Sequence, residues 1–212
     1  MTATESKSSK TLSPKELARI ETVAKAAAQL FDKAGYHETS LMDISSAASL
    51  SKGAIYYYFS SKHEILLYIL NSYMDELLDG LDEELGRHPD SLSKLKAVLS
   101  RHMLTFSSHD ASARILLKYA NNLPAAELGE IVRKQKQYAR VLADILADNA
   151  GGRLNDKQIK AASYIVFGMY NSIINWHRPD GPMPLSELTD FCCELFLNGW
   201  NSMTAKKHKS SS

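Results

Sequence analysis

Side chains that can donate hydrogen bonds or carry positive charge are concentrated in residues 51–64, which read SKGAIYYYFSSKHE. Three consecutive tyrosines, Tyr56 to Tyr58, stand between Lys52 and Lys62. Neighbouring side chains of a helix lie about 100° apart around its axis, so three adjacent tyrosines cannot all enter one core. At least one phenol must face outward, where phenols and ammonium groups can donate to phosphate oxygens. The segment therefore indicates a surface that binds phosphates.

Local start signals show which helices must position these side chains. Ser40, with Asp43 three residues later, predicts the cap of one helix, and Ser51 predicts the cap of a short helix over residues 52–58. Two short helices joined by a tight turn form a helix-turn-helix, whose second helix presents its first residues to base edges in the major groove. Half-buried packing of the tyrosines, with solvated lysines, is an alternative that spacing alone leaves open.

Helical periodicity continues along most of the chain, and strand signals are nearly absent. The first helix is predicted to start at Ser13, followed by Pro14 and Glu16, and to end at Gly35. Ser60 or Ser61 is predicted to cap a long fourth helix over residues 62–85. Further helices are predicted over residues 91–108, 111–121, 125–149, 156–177 and 185–204.

Composition excludes some classes of protein. The 212 residues fit one large or two small domains, and the net charge of +1 gives no global basic field, so a nucleic acid must be met by a local patch. Cys192 and Cys193 are expected to be buried thiols in a reducing cytoplasm. No run is long and apolar enough to span a membrane, and the amino terminus lacks a signal peptide. Residues 1–12 and 206–212 are expected to be disordered.

The segment from Thr39 to Leu67 resembles the DNA-binding domain of the TetR family of bacterial transcription regulators. Two departures from the family pattern stand out: Ser45 replaces the usual alanine, and Met42 stands where many members have an arginine that reads a base or phosphate. The resemblance covers residues 15–70. The matching residues are Gly35-Tyr36, Thr39-Ser40, Ile44, Ser51-Lys52-Gly53, Ile55 to Phe59, Ser61-Lys62, Glu64 and Leu66.

The resemblance implies an all-α homodimer with two domains. A three-helix DNA-binding domain, residues 13–61, would bind a palindromic operator in double-stranded DNA, and residues 62–205 would bind a small-molecule effector and dimerise. Most members are repressors released by their ligand. The residues expected to contact DNA are Ser40, Met42, Ser51, Lys52, Gly53, Ala54, Tyr56, Tyr57 and Lys62.

The second domain supplies further expectations. The stretch 175–191 resembles a junction found in family members that respond to acyl-CoA thioesters or related lipids. The residues expected to line the effector cavity are Met103, Phe106, Leu116, Tyr119, Asn122, Tyr138, Phe167, Tyr170 and Asn171. The apolar stripes of the last two helices predict a dimer interface formed by Ile159, Val166, Met169, Ile173, Leu188, Cys192, Leu195 and Phe196.

No catalytic motif is present, and neither a cofactor nor a metal ion is predicted. His102 and His109 are expected to be solvated or to cap helices. The alternative function is that of an all-helical enzyme or lipid carrier whose amino-terminal unit is only structural. The outward set of Lys52, Tyr56, Tyr57 and Lys62 would then have no role, and this set therefore separates the two hypotheses.

Overall fold

The computed structural model describes residues 12–119, 128–178 and 180–205, which form helices and connections without any strand. The predicted all-α class is confirmed for this part of the chain. The ends that were expected to be disordered lie outside the described residues, except for Leu12. The helices are α1 Pro14–Lys33, α2 Leu41–Ala47, α3 Lys52–Tyr58, α4 Lys62–Leu78, α5 Leu81–Gly86, α6 Ser91–Ser108, α7 Asp110–Tyr119, α8 Gly129–Ala150, α9 Asp156–Ile173 and α10 Leu185–Ala205.

The chain divides into two compact units, Met1–Ile69 and Leu70–Ser212, and the division falls inside α4. The boundary predicted from the sequence, between residues 61 and 62, lies at the start of the same helix. Among the described residues, none of the helices combines the length and apolar character needed to cross a membrane.

The first unit is organised by α1. The predicted capping box is confirmed, because the Glu16 amide donates to Ser13 Oγ at 3.3 Å and the Ser13 amide donates to Glu16 Oε2 at 2.8 Å. The helix ends before Gly35, whose φ of 100° is a conformation that side-chain-bearing residues rarely adopt. The core of this unit includes Val23, Ala27 and Phe31 of α1 together with Ile44 of α2 and Ile55 of α3.

The fourth helix is shorter than the sequence predicted. It ends at Leu78 instead of continuing to residue 85, and the separate helix α5 begins after Gly80. Gly80 has a φ of 65°, in the left-handed region where glycine carries no steric penalty. The break therefore occurs at a residue that the helical periodicity of the surrounding sequence does not reveal.

The second unit is built around α6, α8, α9 and α10, with α8 packed against both α6 and α9. Its buried side chains include Leu99, Leu142, Val166 and Trp200. The predicted helix over 156–177 ends early at Ile173, and the following residues form tighter turns. Cys192 and Cys193 are free and buried, as predicted, and burial raises the pKa of both thiols.

Candidate nucleic-acid interface and internal cavity

The turn between α2 and α3 is held by local hydrogen bonds. Asp43 completes a capping box with Ser40, and hydrogen bonds from Ser40 hold the pKa of the Asp43 carboxyl below its usual range. Ser45 donates its hydroxyl to the Leu50 carbonyl at 2.6 Å, so this departure from the family pattern ties α2 to the turn. Ser51 caps α3 as predicted, accepting from the Ala54 amide at 3.2 Å. These contacts fix where α3 begins.

The two faces of α3 differ sharply in burial. Ile55 and Phe59 are buried, whereas Tyr56 and Tyr57 are 48% and 63% exposed. Lys52 is exposed at the first turn, with its Nζ 5.6 Å from the Tyr56 ring centroid. The helix therefore exposes two phenols and one ammonium group, and the Tyr57 hydroxyl donates to Glu16 Oε1 of α1 at 3.3 Å. Their contact with DNA stays a prediction.

The remaining predicted DNA contacts lie at helix starts of the same unit. Ser40, Ser51 and Gly53 are exposed, Ala54 is half-buried, and Met42 is among the most exposed apolar side chains. At α4, Ser61 and not Ser60 accepts from the Glu64 amide, at 3.1 Å, which resolves the choice of cap that the sequence left open.

Lys62 is bound within its own unit. Its Nζ donates to the carbonyl oxygens of Tyr36, His37 and Thr39 at 2.5, 3.1 and 2.8 Å, and lies 4.5 Å from the Tyr36 ring centroid. An ammonium group has three donors, and three carbonyls use them. The sequence predicted that Lys62 would contact a phosphate, whereas these bonds fasten the start of α4 to the connection between α1 and α2.

A cavity of about 470 Å³ lies in the second unit between α4, α6, α7, α8 and α9. Six of the predicted residues line it: Phe106, Leu116, Tyr138, Phe167, Tyr170 and Asn171. Met103 is buried in the core and Tyr119 is half-buried, and neither belongs to the described lining. Asn122 lies outside the described residues. The sequence missed the α4 wall, formed by Tyr73, Met74 and Leu77, and also His102.

His102 is buried, with 7% of its surface exposed, so the expectation that it is solvated was wrong. Its Nε2 lies 3.1 Å from Asn171 Oδ1, and its ring stacks on Tyr138 with centroids 5.9 Å apart. Burial lowers its pKa to about 4, which outweighs the opposite effect of the Asn171 hydrogen bond. The imidazole is therefore neutral near pH 7. Its spacing from Leu95 and Leu99 on one face of α6 would have predicted burial.

The phenols of the two deepest cavity tyrosines have partners in the backbone. Tyr138 donates to the Val98 carbonyl at 3.4 Å, and Tyr170 donates to the Thr189 carbonyl at 3.1 Å. Burial raises the pKa of both phenols, so they remain protonated. These hydroxyl groups hold the helices together instead of offering donors to the cavity.

Arg101 of α6 binds the carboxyl end of α4. Its guanidinium donates to the Leu77 carbonyl at 3.0 Å and the Glu76 carbonyl at 2.8 Å, and also to the Asp79 carbonyl. Its third nitrogen pairs with the Glu84 carboxylate of α5 at 2.8 Å. The helix-end carbonyls that Gly80 leaves without intrahelical partners are thus satisfied by an adjacent helix.

Lys134 of α8 binds the middle of α4. Its Nζ lies 2.7 Å from Asp75 Oδ1 and 3.1 Å from Asn71 Oδ1, and 3.3 Å from Glu130 Oε1 on its own helix. The α4 wall of the cavity is consequently bound to α8 at Asn71 and Asp75 and to α6 at its carboxyl end.

The residues of the predicted dimer interface differ in how far they are buried within the protomer. Ile159, Val166, Ile173, Leu188 and Cys192 are buried inside the protomer, whereas Met169 and Phe196 are half-buried and Leu195 is exposed. The most apolar stripe of each helix faces its own core, and helical periodicity cannot tell this core from a second copy. The exposed large apolar residues of α9 and α10 are Tyr164, Ile165, Phe191, Leu195 and Met203.

The described residues contain no group of three or more histidine, cysteine or acidic side chains placed to hold a metal ion. His109 follows α6 as its carboxyl-terminal cap, and its Nδ1 lies 3.1 Å from Glu76 Oε2.

Each of the two units matches the profile of a known protein family. Residues 23–69 match the profile of "Bacterial regulatory proteins, tetR family", and residues 88–200 match that of "Tetracyclin repressor-like, C-terminal domain". The Fatty acid metabolism regulator protein of Bacillus subtilis is 24% identical over 180 residues, which are 82% of this chain and 91% of that protein.

Two solved structures share the fold. A TetR-family regulator from Bordetella parapertussis has a TM-score of 0.79 and 24% identity, covering 86% of this chain and 96% of that one. AibR, in complex with isovaleryl coenzyme A and operator DNA, has a TM-score of 0.71 and 22% identity, covering 84% and 97% of the two chains.

Proposed function

Because the chain belongs to the TetR family of bacterial transcription regulators, we propose that it is a repressor that a small molecule releases from its operator. The observation that carries the DNA-binding role is the outward surface of α3. There, Lys52, Tyr56 and Tyr57 stand on a helix whose start is fixed by Ser51. Since its target is bacterial DNA, we place its action in the cytoplasm.

A palindromic operator requires two copies of α3. One turn of DNA separates half-sites by about 34–36 Å, which a symmetric dimer can match. The exposed residues Tyr164, Ile165, Phe191 and Leu195 supply an apolar surface for a second copy. An isologous contact between two α9–α10 pairs would form a four-helix bundle.

The cavity favours an apolar effector with a polar end. Aromatic and aliphatic side chains dominate its wall, and the described lining residues include no carboxylate. The one described cationic residue of the lining, Lys136, is exposed. Such a site suits an acyl chain joined to an anionic group, and we propose an acyl-CoA or related lipid as the effector. The name of the Bacillus subtilis relative and the ligand of AibR support this class.

We propose that release of the protein from its operator begins with a shift of α4. Tyr73, Met74 and Leu77 give α4 a direct share of the cavity wall, while the bonds from Lys134 and Arg101 couple it to α8 and α6. An effector that separates these helices would shift α4, whose first residue, Lys62, binds the connection before α2. If the α3 helices of the two protomers change their separation, they cannot bind both half-sites at the same time. The affinity for the operator therefore falls.

Genomic-fragment selection with the purified full-length protein, with and without a panel of acyl-CoAs, tests this proposal. We expect enrichment of one palindrome at moderate salt and its loss with a subset of the thioesters. If a folded dimer enriches no DNA sequence, the result would contradict the repressor proposal and favour the enzyme or lipid-carrier alternative. Enrichment that no acyl-CoA changes would retain the DNA-binding role and exclude the proposed effector class.

A further inference from the structure

His102 and Asn171 form a hydrogen-bonded polar pair in the wall of the cavity, whose lining is mostly aromatic and aliphatic. The amide oxygen Oδ1 of Asn171, 3.1 Å from His102 Nε2, can only accept a hydrogen bond. A neutral imidazole has a single N–H, so this contact places the proton on Nε2 and leaves a lone pair on Nδ1. His102 is neutral because its burial lowers the pKa to about 4.

The opposite orientation of the Asn171 amide is less favourable. It would turn the amide nitrogen towards Nε2 and move the imidazole proton to Nδ1. Nδ1 is enclosed and has no hydrogen-bond partner among the described residues. Orphaned buried N–H groups are rarer in proteins than under-satisfied acceptors, so the orientation with Oδ1 facing His102 is preferred.

This orientation leaves the amide nitrogen of Asn171 as a donor at the cavity wall. Within the described segments, the hydrogen bond of the Asn171 side chain is made through Oδ1 to His102. Tyr138 and Tyr170, which line the same cavity, donate their hydroxyl hydrogen bonds to backbone carbonyls. A ligand beside Tyr138, Phe167 and Tyr170 thus meets the amide N–H of Asn171.

We infer that Asn171, held in place by His102, donates to a neutral carbonyl oxygen embedded in the apolar part of the effector. A carboxylate is disfavoured at this position because it would lose its hydration beside a neutral imidazole. The carbonyl of an acyl thioester is neutral and continues directly into an apolar chain. The inference rests on the proposed effector role of the cavity and assigns Asn171 the recognition of the thioester and His102 a positioning role.

The test compares two ligands that differ at the carbonyl alone. Dodecanoyl-CoA and S-dodecyl-CoA, a thioether with a methylene in place of the carbonyl, are titrated calorimetrically into the full-length protein, and the sixteen-carbon pair is titrated in parallel. One neutral hydrogen bond predicts that the wild-type protein binds the thioester about fivefold to tenfold more tightly. In Asn171→Leu the ratio of thioester affinity to thioether affinity should fall to about one, because the hydrogen-bond donor is gone.

Variants of His102 separate positioning from general stability. His102→Leu should reduce the ratio although Asn171 is present, whereas His102→Gln should preserve it, because a glutamine amide can still donate to Asn171 Oδ1. Leu117→Ala, elsewhere in the same wall, should weaken both ligands equally and leave the ratio unchanged. Melting temperatures of all variants confirm that they are folded.

The outcomes distinguish this inference from the proposed function. Equal binding of thioester and thioether by the wild-type protein, or a ratio that survives in Asn171→Leu, overturns the role of Asn171. If both ligands nevertheless release operator DNA, the repressor proposal stands. If the dimer binds its operator but binds neither ligand, the inference is also overturned. If the ligand-free protein does not bind an operator, the repressor proposal is overturned instead.

Discussion

The Nζ atom of Lys134, on α8, lies 2.7 Å from Oδ1 of Asp75, on α4, although the lysine side chain is only 7% exposed. The ammonium group therefore joins two helices of the cavity wall from a nearly dry position, where ion pairs are screened less than at the surface.

Lys134→Met should uncouple effector binding from release of DNA. Methionine keeps the apolar stem, and Asp75 and Glu130 are exposed enough to be hydrated, so we expect a loss of only about 1 kcal/mol in the free energy of unfolding. Acyl-CoA should then bind with similar affinity but release the operator less completely. Arg140→Met, an exposed cation on the same helix, is the control. Full release by the Lys134 variant would remove this contact from the proposed route.

Lys62 and Lys52 should respond differently to removal of their charge. Lys62→Met should lower the melting temperature and weaken operator binding without changing its salt dependence, because the ammonium group binds three carbonyls. Lys52→Met should leave stability unchanged and reduce the slope of log affinity against log salt by about one, as for one phosphate contact. Salt titration of binding, with melting curves, measures both. A reduced slope for Lys62→Met would restore the phosphate contact that the sequence predicted.

The hydroxyl of Tyr57 is expected to contact the operator. Tyr57→Phe keeps the edge-to-face packing on Tyr58, with centroids 4.9 Å apart, and removes from the protein itself only the exposed 3.3 Å hydrogen bond from the hydroxyl to Glu16 Oε1. It should therefore lower operator affinity about threefold to tenfold with little change in the melting temperature. Tyr68→Phe, whose ring packs on Phe59, is a matched control and should bind normally. If the Tyr57 variant is instead less stable and binds operator normally, the tyrosine has a packing role.

The exposed apolar surface of α9 and α10 should be the dimer interface. Leu195→Glu places a charge where apolar contact is expected and should convert dimers to monomers, with loss of operator binding. Leu104→Glu changes an equally exposed leucine of α6 and should remain dimeric. Sedimentation at several concentrations distinguishes the two, and a dimeric Leu195 variant would contradict this assignment.

The buried histidine predicts a loss of stability in mild acid. His102 has a folded pKa of about 4, below the ordinary value of 6.5, so the unfolded chain binds more protons between these limits. The contribution of the neutral His102 to the free energy of unfolding, on the order of 3 kcal/mol, is fully present above about pH 6.5. It is lost as the pH falls towards 4. Urea unfolding across this range should show a flatter profile for His102→Gln than for the wild-type protein. An unchanged profile for His102→Gln would show that other groups titrate.

Local features of this fold were predictable from the sequence, whereas contacts between distant segments were not. The caps at Ser13 and Ser40 follow from residue pairs three positions apart, and the cap at Ser51 follows from a serine directly before a short helical segment, so local pattern finds all three. The bonds of Lys62 join it to carbonyls 23 to 26 residues earlier in the chain, which no local pattern encodes. Val166 and Ile165 are equally apolar neighbours, yet one is buried and the other exposed, and only the packed helices decide which.

Four helices of the described chain begin with a reciprocal capping box, and two of them, α6 at Asp90 and α9 at Asn155, also carry cavity residues. His102 and Asn171 lie three or more turns beyond those caps, so the start of each helix is specified separately from the side chains that meet a ligand. The residue at which each of these helices begins therefore does not depend on the side chains at His102 and Asn171. This arrangement would let descendants of one ancestral regulator acquire new inducers while their backbone stays the same.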